Sequence, residues 1–270
     1  MINIHINGKK PLILIDGSYY VFNRYFATYK WFMFQKKEID IEKILENEEY
    51  IEAFNKHLES DFKKIQKKLK TDLNNIIICM DCLRYNIWRN EIYPEYKATR
   101  NTKTNFNKDI FKIFNEKIKE LRIMKISLDK LEGDDMIYLL QNKINELNNN
   151  QNIIIITNDN DYLQLSKKNL KIINMQFKDI CLRGTLNPKI DLLLKIIHGD
   201  KSDNISKILQ GLSKEKALKI ALMEESDRIK YLIENKAIEK YELNKKLISF
   251  DYIPIELIEL FNNYYNISII

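Results

Sequence analysis

Five short acidic segments punctuate the chain. They are Asp16 in "DGS", Asp81 in "IIICMD", Glu132, Asp134 and Asp135 in "LEGDD", Asp159 and Asp161 in "TNDND", and Asp200 and Asp203 in "GDKSDN". Taken singly, each has an ordinary explanation, since a carboxylate at a helix start accepts orphan backbone N–H groups and answers the positive end of the helix dipole. "LEGDD" strains that explanation: a cap uses one acid or two, and a third within four positions is repelled by the others. Convergent carboxylates coexist when divalent cations neutralise them. Mg²⁺ and Mn²⁺ are hard ions that take oxygen ligands and retain several waters. Two such ions, roughly 4 Å apart, can activate a water and stabilise the leaving oxygen of a phosphodiester.

Such a site requires elements that bring the acids together. "PLILID" (11–16), "NNIIICMD" (74–81) and "QNIIIITND" (151–159) are apolar runs closed by Asp, the pattern of buried strands, and "RIMKIS" (122–127) is a further short candidate. Helices are expected from Ser18 to about Tyr29, over 51–70, within "NKDIFKIFNEKIKEL", over 132–144, and from 188 onward. In the second of these Phe54, Leu58, Phe62, Ile65 and Leu69 recur at helical spacing, with lysines on the other face. Strands alternating with helices argue for an α/β fold with a largely parallel sheet. The carboxyl ends of its strands form the functional edge, so the five acidic segments are expected to converge there.

The rest of the composition narrows the classes. With 270 residues, 45% of them hydrophobic, the chain can bury a sizeable core. Six Gly and four Pro leave little for tandem linkers, and "NELNNNQN" (145–152) reads as a solvated loop. The N-terminus lacks the apolar core of a signal peptide and "PLILI" is too short to span a bilayer, so a soluble intracellular protein is expected. "CMDC" (79–82) has no second ligand pair for zinc, and its cysteines read as small buried apolar groups. Three histidines leave no credible Ser-His-Asp or Cys-His arrangement. The formal charge is +6, with basic and aromatic residues interleaved over 84–108: Arg84, Arg89, Lys97, Arg100, Lys103 and Lys108 among Trp88, Tyr93, Tyr96 and Phe106. Cations near a metal pocket can orient a phosphate, and aromatics can stack on unpaired bases.

The acidic segments, in this order, resemble the motifs of the 5′-nuclease family (flap endonucleases and 5′→3′ exonucleases): "DGS", an apolar strand ending in Asp, "E-x-DD", "D-x-D" and "GD-x-x-DN". The match covers most of residues 11–205. Within the family the more specific resemblance is to the T-even-phage type of ribonuclease H, through "YNIWRNEIYPEYKATR" (85–100) and "LISFDYIPIELIELFNNYYN" (247–266). The resemblance implies a PIN-like (resolvase-like) sheet flanked by helices, with a helical arch and a C-terminal helical subdomain. Residues 1–205 would form the nuclease core, with the arch or clamp at about 86–112, and 206–270 a duplex-binding helical part packed on it. It implies Asp16, Asp81, Glu132, Asp134 and Asp135 around a first Mg²⁺, with Asp134 and Asp135 facing it. Asp159 and Asp161 would lie near a second ion that Asp200 and Asp203 complete; Mn²⁺ would substitute for either. Lys97 and Arg100 match "YK-x-x-R", and with Arg89 they would serve the phosphate. Tyr96 would pack against the nucleotide nearest the scissile bond. Arg24 matches a family position, with a structural ion pair as its alternative role, and Lys103 belongs to the arch.

"SKILQGLSKEKALKI" (206–220) departs from the family's glycine-rich helix–turn–helix, keeping only Gly211. Contact with duplex phosphates would then fall to Lys214, Lys216 and Lys219. The partners implied are DNA with 5′ ends or flaps, RNA–DNA hybrids and a single-strand-binding protein; a monomer is expected and no membrane partner. Two other readings compete. A non-cleaving module for branched nucleic acid would have lost metal ligands, and all the expected carboxylates are present. A PIN-type endoribonuclease would share the acidic core but lack the arch and the "GD-x-x-DN" continuation.

Overall fold

The computed structural model describes residues 1–35, 40–100 and 105–270. The apolar runs form a five-stranded parallel sheet from β2 (Leu12–Asp16), β3 (Ile76–Cys79), β4 (Met124–Ile126), β5 (Ile153–Ile156) and β6 (Leu170–Ile173), in the order β4-β3-β2-β5-β6. Continuous apolar runs suit the central strands β2, β3 and β5 because both faces are covered, while the edge strands β4 and β6 each carry one exposed lysine, Lys125 and Lys171. Leu12 and Leu14 point into one apolar cluster, where α5 (Gly133–Leu147) and α10 (Ile255–Tyr264) pack. Ile13 and Ile15 point into the other, beneath α1 (Gly17–Phe34), α2 (Glu48–Leu69) and α4 (Ile110–Glu120). The strand order makes β2–β5 the topological switch point: the chain winds outward from β2 through β3 and β4, then returns to the other side of β2. Crevices at such a point, outside the carboxyl ends of the strands, are where α/β sheets bind ligands.

Close packing at this edge demands glycine immediately after the first acid. A Cβ on Gly17 would lie 2.2 Å from Met80 Sδ and 2.9 Å from Cys79 O, so only glycine lets α1 leave β2 beside β3.

Three strands carry no signal in the sequence reading. β6 extends the sheet beyond β5, while β1 (Ile2–Ile6) pairs in parallel with β7 (Tyr265–Ile269), from Ile2↔Tyr265 to Ile6↔Ile269. The chain beyond 188 is therefore not wholly helical. It runs through α6 (Pro188–His198), α7 (Lys214–Ala221), α8 (Glu225–Glu234), α9 (Ile238–Ile248) and α10, then ends in β7. The apolar faces of α6, α7, α8 and α9 share a third cluster that takes in Ile87 and Tyr96 from the basic segment, which includes the short α3 (Arg89–Ile92). No helix among the described residues is long and apolar enough to cross a membrane.

Candidate active site

The ends of β2, β3 and β5 and the start of α5 open onto a cleft of about 530 Å³ whose walls include Asp16, Asp81, Glu132, Asp134 and Asp159, faced by Lys97 and Arg100. Asp16 caps α1, its Oδ1 accepting from Tyr19 N at 3.0 Å while Oδ2 accepts from Thr157 Oγ1 at 3.0 Å. Asp81 accepts from Ser18 Oγ at 2.5 Å and from Gly133 N at 2.7 Å, tying the start of α5 to the first motif. Asp134 accepts from Asp135 N at 2.7 Å, and Asp159 from Asp161 N at 3.0 Å. Among the described residues none of these four carboxylates forms an ion pair. Burial, then Asp81 and Asp159, raise the Asp16 carboxyl to about 7. Burial and the neighbouring Asp135 and Glu132 push Asp134 well above the usual carboxylate range.

Glu132 and Asp135 have a different environment. Glu132 is buried, its Oε2 accepting from Arg89 Nη1 at 2.9 Å and from Tyr96 OH at 2.9 Å, while Lys97 Nζ pairs with Oε1. Burial raises its carboxyl, but Lys97 and Arg89 outweigh that and hold it at about 2. Asp135 is fully buried behind the cleft: Arg89 spans both its oxygens at 2.7 and 2.8 Å, and Trp88 Nε1 donates at 3.0 Å.

A second cleft, of about 570 Å³, shares Asp159 with the first and adds Asp161, Lys195, Asp200 and Lys214. Asp161, Asp200 and Asp203 offer oxygens within 4.8 Å of one another, as do Glu132, Asp134 and Asp135. Asp203 is clasped by Arg100 Nη2 at 2.8 Å and Tyr96 OH at 3.2 Å, with Lys97 Nζ 3.6 Å away. Lys195 pairs with Asp161 and lies 2.8 Å from Asp200 Oδ2. Burial raises the Asp200 carboxyl, but Lys195 with the Ser202 hydrogen bonds brings it down to about 2. The "GD" step needs its glycine: Gly199 has φ +72°, and a Cβ there would sit 2.5 Å from Ile205 O.

The acidic expectations thus converge on one sheet edge, whereas several of the cationic and aromatic ones are revised. Asp135 does not face the cleft, because adjacent residues at a helix start point about 100° apart and Asp134 takes the open side. Arg89 is not free for a phosphate, since Glu132, Asp135 and Leu247 O (2.8 Å from Nε) take its donors. Tyr96 is buried beneath the carboxylates rather than presented to a nucleotide. Arg24 takes its structural role, paired with the largely buried Asp61. Lys97 and Arg100 do line the cleft, and Lys97 holds φ 56° with its N donating to Asp203 O at 2.9 Å. Lys214 and Lys216 are exposed at the start of α7, and Lys103 lies outside the described residues. Lys195 escapes a reading of the sequence alone. Its one signal there is a lone basic residue inside the apolar run "DLLLKIIHGD".

The fold and the site define a resolvase-like α/β domain with carboxylates gathered at its switch point and basic side chains facing them. A family model described as the 5′-3′ exonuclease, N-terminal resolvase-like domain, matches residues 11–189, and the chain belongs to that family. It is similar to the ribonuclease H of Enterobacteria phage T4, 27% identical over 224 residues that span 74% of this chain and 72% of the phage protein. The 5′-3′ exonuclease of Bacillus subtilis (strain 168) is 27% identical over 242 residues, 85% of this chain and 75% of that one. Among solved structures, the T5 5′-exonuclease with bound divalent metal ions (zinc) superposes with a TM-score of 0.64 at 19% identity, over 94% of this chain and 98% of that one. The bacteriophage T5 D15 flap endonuclease, as a point variant in a pseudo-enzyme-product complex with DNA and metal ions, gives a TM-score of 0.61 at 18% identity, over 94% and 97%.

Proposed function

We propose that the chain is a Mg²⁺-dependent, structure-selective 5′-nuclease that acts on DNA 5′ ends and flaps and on RNA–DNA hybrids, in replication or repair. One observation carries the reading: Asp16, Asp81, Asp134 and Asp159 meet at the switch point with no ion-pair partner among the described residues, opposite Lys97 and Arg100. The donor set is all carboxylate oxygen, which fits Mg²⁺ with Mn²⁺ as substitute. Divalent ions bound there supply an activated water and charge neutralisation at the phosphodiester. The chain's own residues do the rest. Ser18 and the Gly133 N–H fix Asp81, Thr157 fixes Asp16, and Arg100, with its side chain 47% exposed, presents positive charge to the scissile phosphate, backed by Lys97 at the cleft wall, whose ammonium Glu132 and Asp203 hold in place. Helices α7 to α10, with Lys214 and Lys216 exposed at the start of α7, are proposed to hold the duplex electrostatically. The protein is proposed to work inside the cell as a monomer, with a single-strand-binding protein as partner.

The names of the similar proteins, ribonuclease H and 5′-3′ exonuclease, support this substrate class. A panel of nicked, 5′-flap, RNA–DNA hybrid and single-stranded substrates tests it. The expected result is Mg²⁺-dependent cutting of flap and hybrid, abolished by EDTA. Preference for single-stranded RNA would instead indicate a PIN-type endoribonuclease, and binding without cutting a non-catalytic module.

A further inference from the structure

The second acidic cluster is already furnished with a cation. Lys195 lies near the end of α6 with its side chain only 20% exposed, and its ammonium joins Asp161, from the turn after β5, to Asp200, from the turn after α6. The third carboxylate, Asp203, is held by Arg100 and Lys97. Every member of the cluster therefore has a cationic partner within the chain, although Lys195 is shared by two of them. The first cleft contrasts with this, because Asp16, Asp81, Asp134 and Asp159 accept only from backbone N–H groups and hydroxyls among the described residues. Holding a largely buried ammonium between two carboxylates costs desolvation and side-chain entropy, which its interaction with those carboxylates must offset. A divalent ion entering there meets the same oxygens and must first remove that charge.

We propose that Lys195 is the resident cation of the second position: its ammonium stands where a second divalent ion would bind, and that ion enters only by displacing it. The proposal deepens the nuclease reading and rests on it for the identity of the cluster as the second metal position. Asp161 and Asp200 would pass from ammonium to metal, and the Lys195 ammonium would be released into the solvent of the second cleft that it lines. Divalent binding by the wild type is then strongly unequal, tight at the first cleft and weak at the second.

Mn²⁺ titrated into the full chain by calorimetry, with bound ions counted by electron paramagnetic resonance, tests this. Lys195→Met keeps the length and apolar stem of the side chain and removes its charge. Second-site affinity should rise about tenfold or more, equivalent to ~1.4 kcal/mol, with the first site unchanged. Isotherms that superimpose for variant and wild type overturn the proposal. Should the variant lose its folded circular dichroism, the wild type alone decides. In reductive methylation read by mass spectrometry, Lys195 should be protected in EDTA and react about tenfold faster at saturating Mn²⁺. Protection that Mn²⁺ leaves unaltered overturns the proposal. Both readouts count ions or free ammonium rather than cleavage. A protein that behaves this way yet cuts no flap sinks the nuclease reading alone; one that cuts flaps with superimposed isotherms sinks the Lys195 proposal alone.

Discussion

Arg89→Met distinguishes a structural arginine from a phosphate-binding one. The guanidinium is 2% exposed and donates to Glu132 Oε2 at 2.9 Å, to Asp135 at 2.8 and 2.7 Å, and to Leu247 O at 2.8 Å. Methionine replaces much of its volume, so the loss is chiefly electrostatic: two buried carboxylates lose their shared cation. Removing one partner of a buried pair costs ~3–5 kcal/mol, a large part of the ~5–15 kcal/mol that holds an ordinary domain. With a urea m-value of about 3 kcal/mol/M for a chain of this size, the unfolding midpoint should fall by roughly 1 M or more. The pH dependence has a definite sign. Glu132 is held at about 2 in the folded chain, below its ordinary 4.5, so its contribution is present in full above that ordinary value and is lost as pH falls toward 2. Without Arg89 its carboxyl rises, and acid unfolding should begin at a higher pH. Urea and acid titrations followed by circular dichroism measure both effects. A stability loss below about 1 kcal/mol together with a collapse in single-turnover cleavage would instead make Arg89 a phosphate ligand.

Other expectations follow from the same geometry. Asp134→Asn removes a carboxylate crowded by Asp135 and Glu132, so the metal-free protein should melt about 2–4 °C higher for each ~1 kcal/mol gained while losing tight Mn²⁺ binding; scanning calorimetry and titration check this. Because Asp16 is raised to about 7, the folded chain keeps a proton there that the unfolded chain has lost above its ordinary 3.8, so metal-free stability should decline as pH rises through that window. The part of the proton release on Mn²⁺ binding that comes from Asp16 should accordingly shrink between about pH 6 and about pH 8, so the total release should be smaller at the higher pH, as read by calorimetry in buffers of different ionisation enthalpy. Gly199→Ala forces a Cβ to 2.5 Å from Ile205 O at φ +72° and should cost ~1–3 kcal/mol in urea unfolding, loosening Asp200 with it.

The sequence is most informative about positions and least about directions. Apolar runs closed by Asp reveal β2, β3 and β5 because buried parallel strands and strand-end carboxylates both leave local signals. The β1–β7 pair leaves none, since "INIHI" and "YNISI" are short and ordinary, and only a contact between the two ends of the chain joins them. Asp134 and Asp135 are legible as a pair of acids, but which one meets the cleft depends on a rotation about α5 and on where Arg89 lies. Arg89 and Tyr96 look like substrate ligands because basic and aromatic residues beside an acidic pocket suit that role. Their burial follows from the packing of the third apolar cluster against this segment, which no local pattern encodes. Lys195 is hidden for the complementary reason: a single lysine in an apolar helix is unremarkable until the fold sets two carboxylates against it.

Single-turnover cleavage of a 5′-labelled flap, in Mg²⁺ and in EDTA, by the wild type and by Asp16→Asn and Asp134→Asn decides whether the carboxylates at the switch point cut a phosphodiester. The wild type should cut in Mg²⁺ alone, and both variants should bind the flap but leave it intact. Wild-type protein that binds Mn²⁺ and flap yet never cuts, or variants that cut as the wild type does, would contradict the nuclease reading.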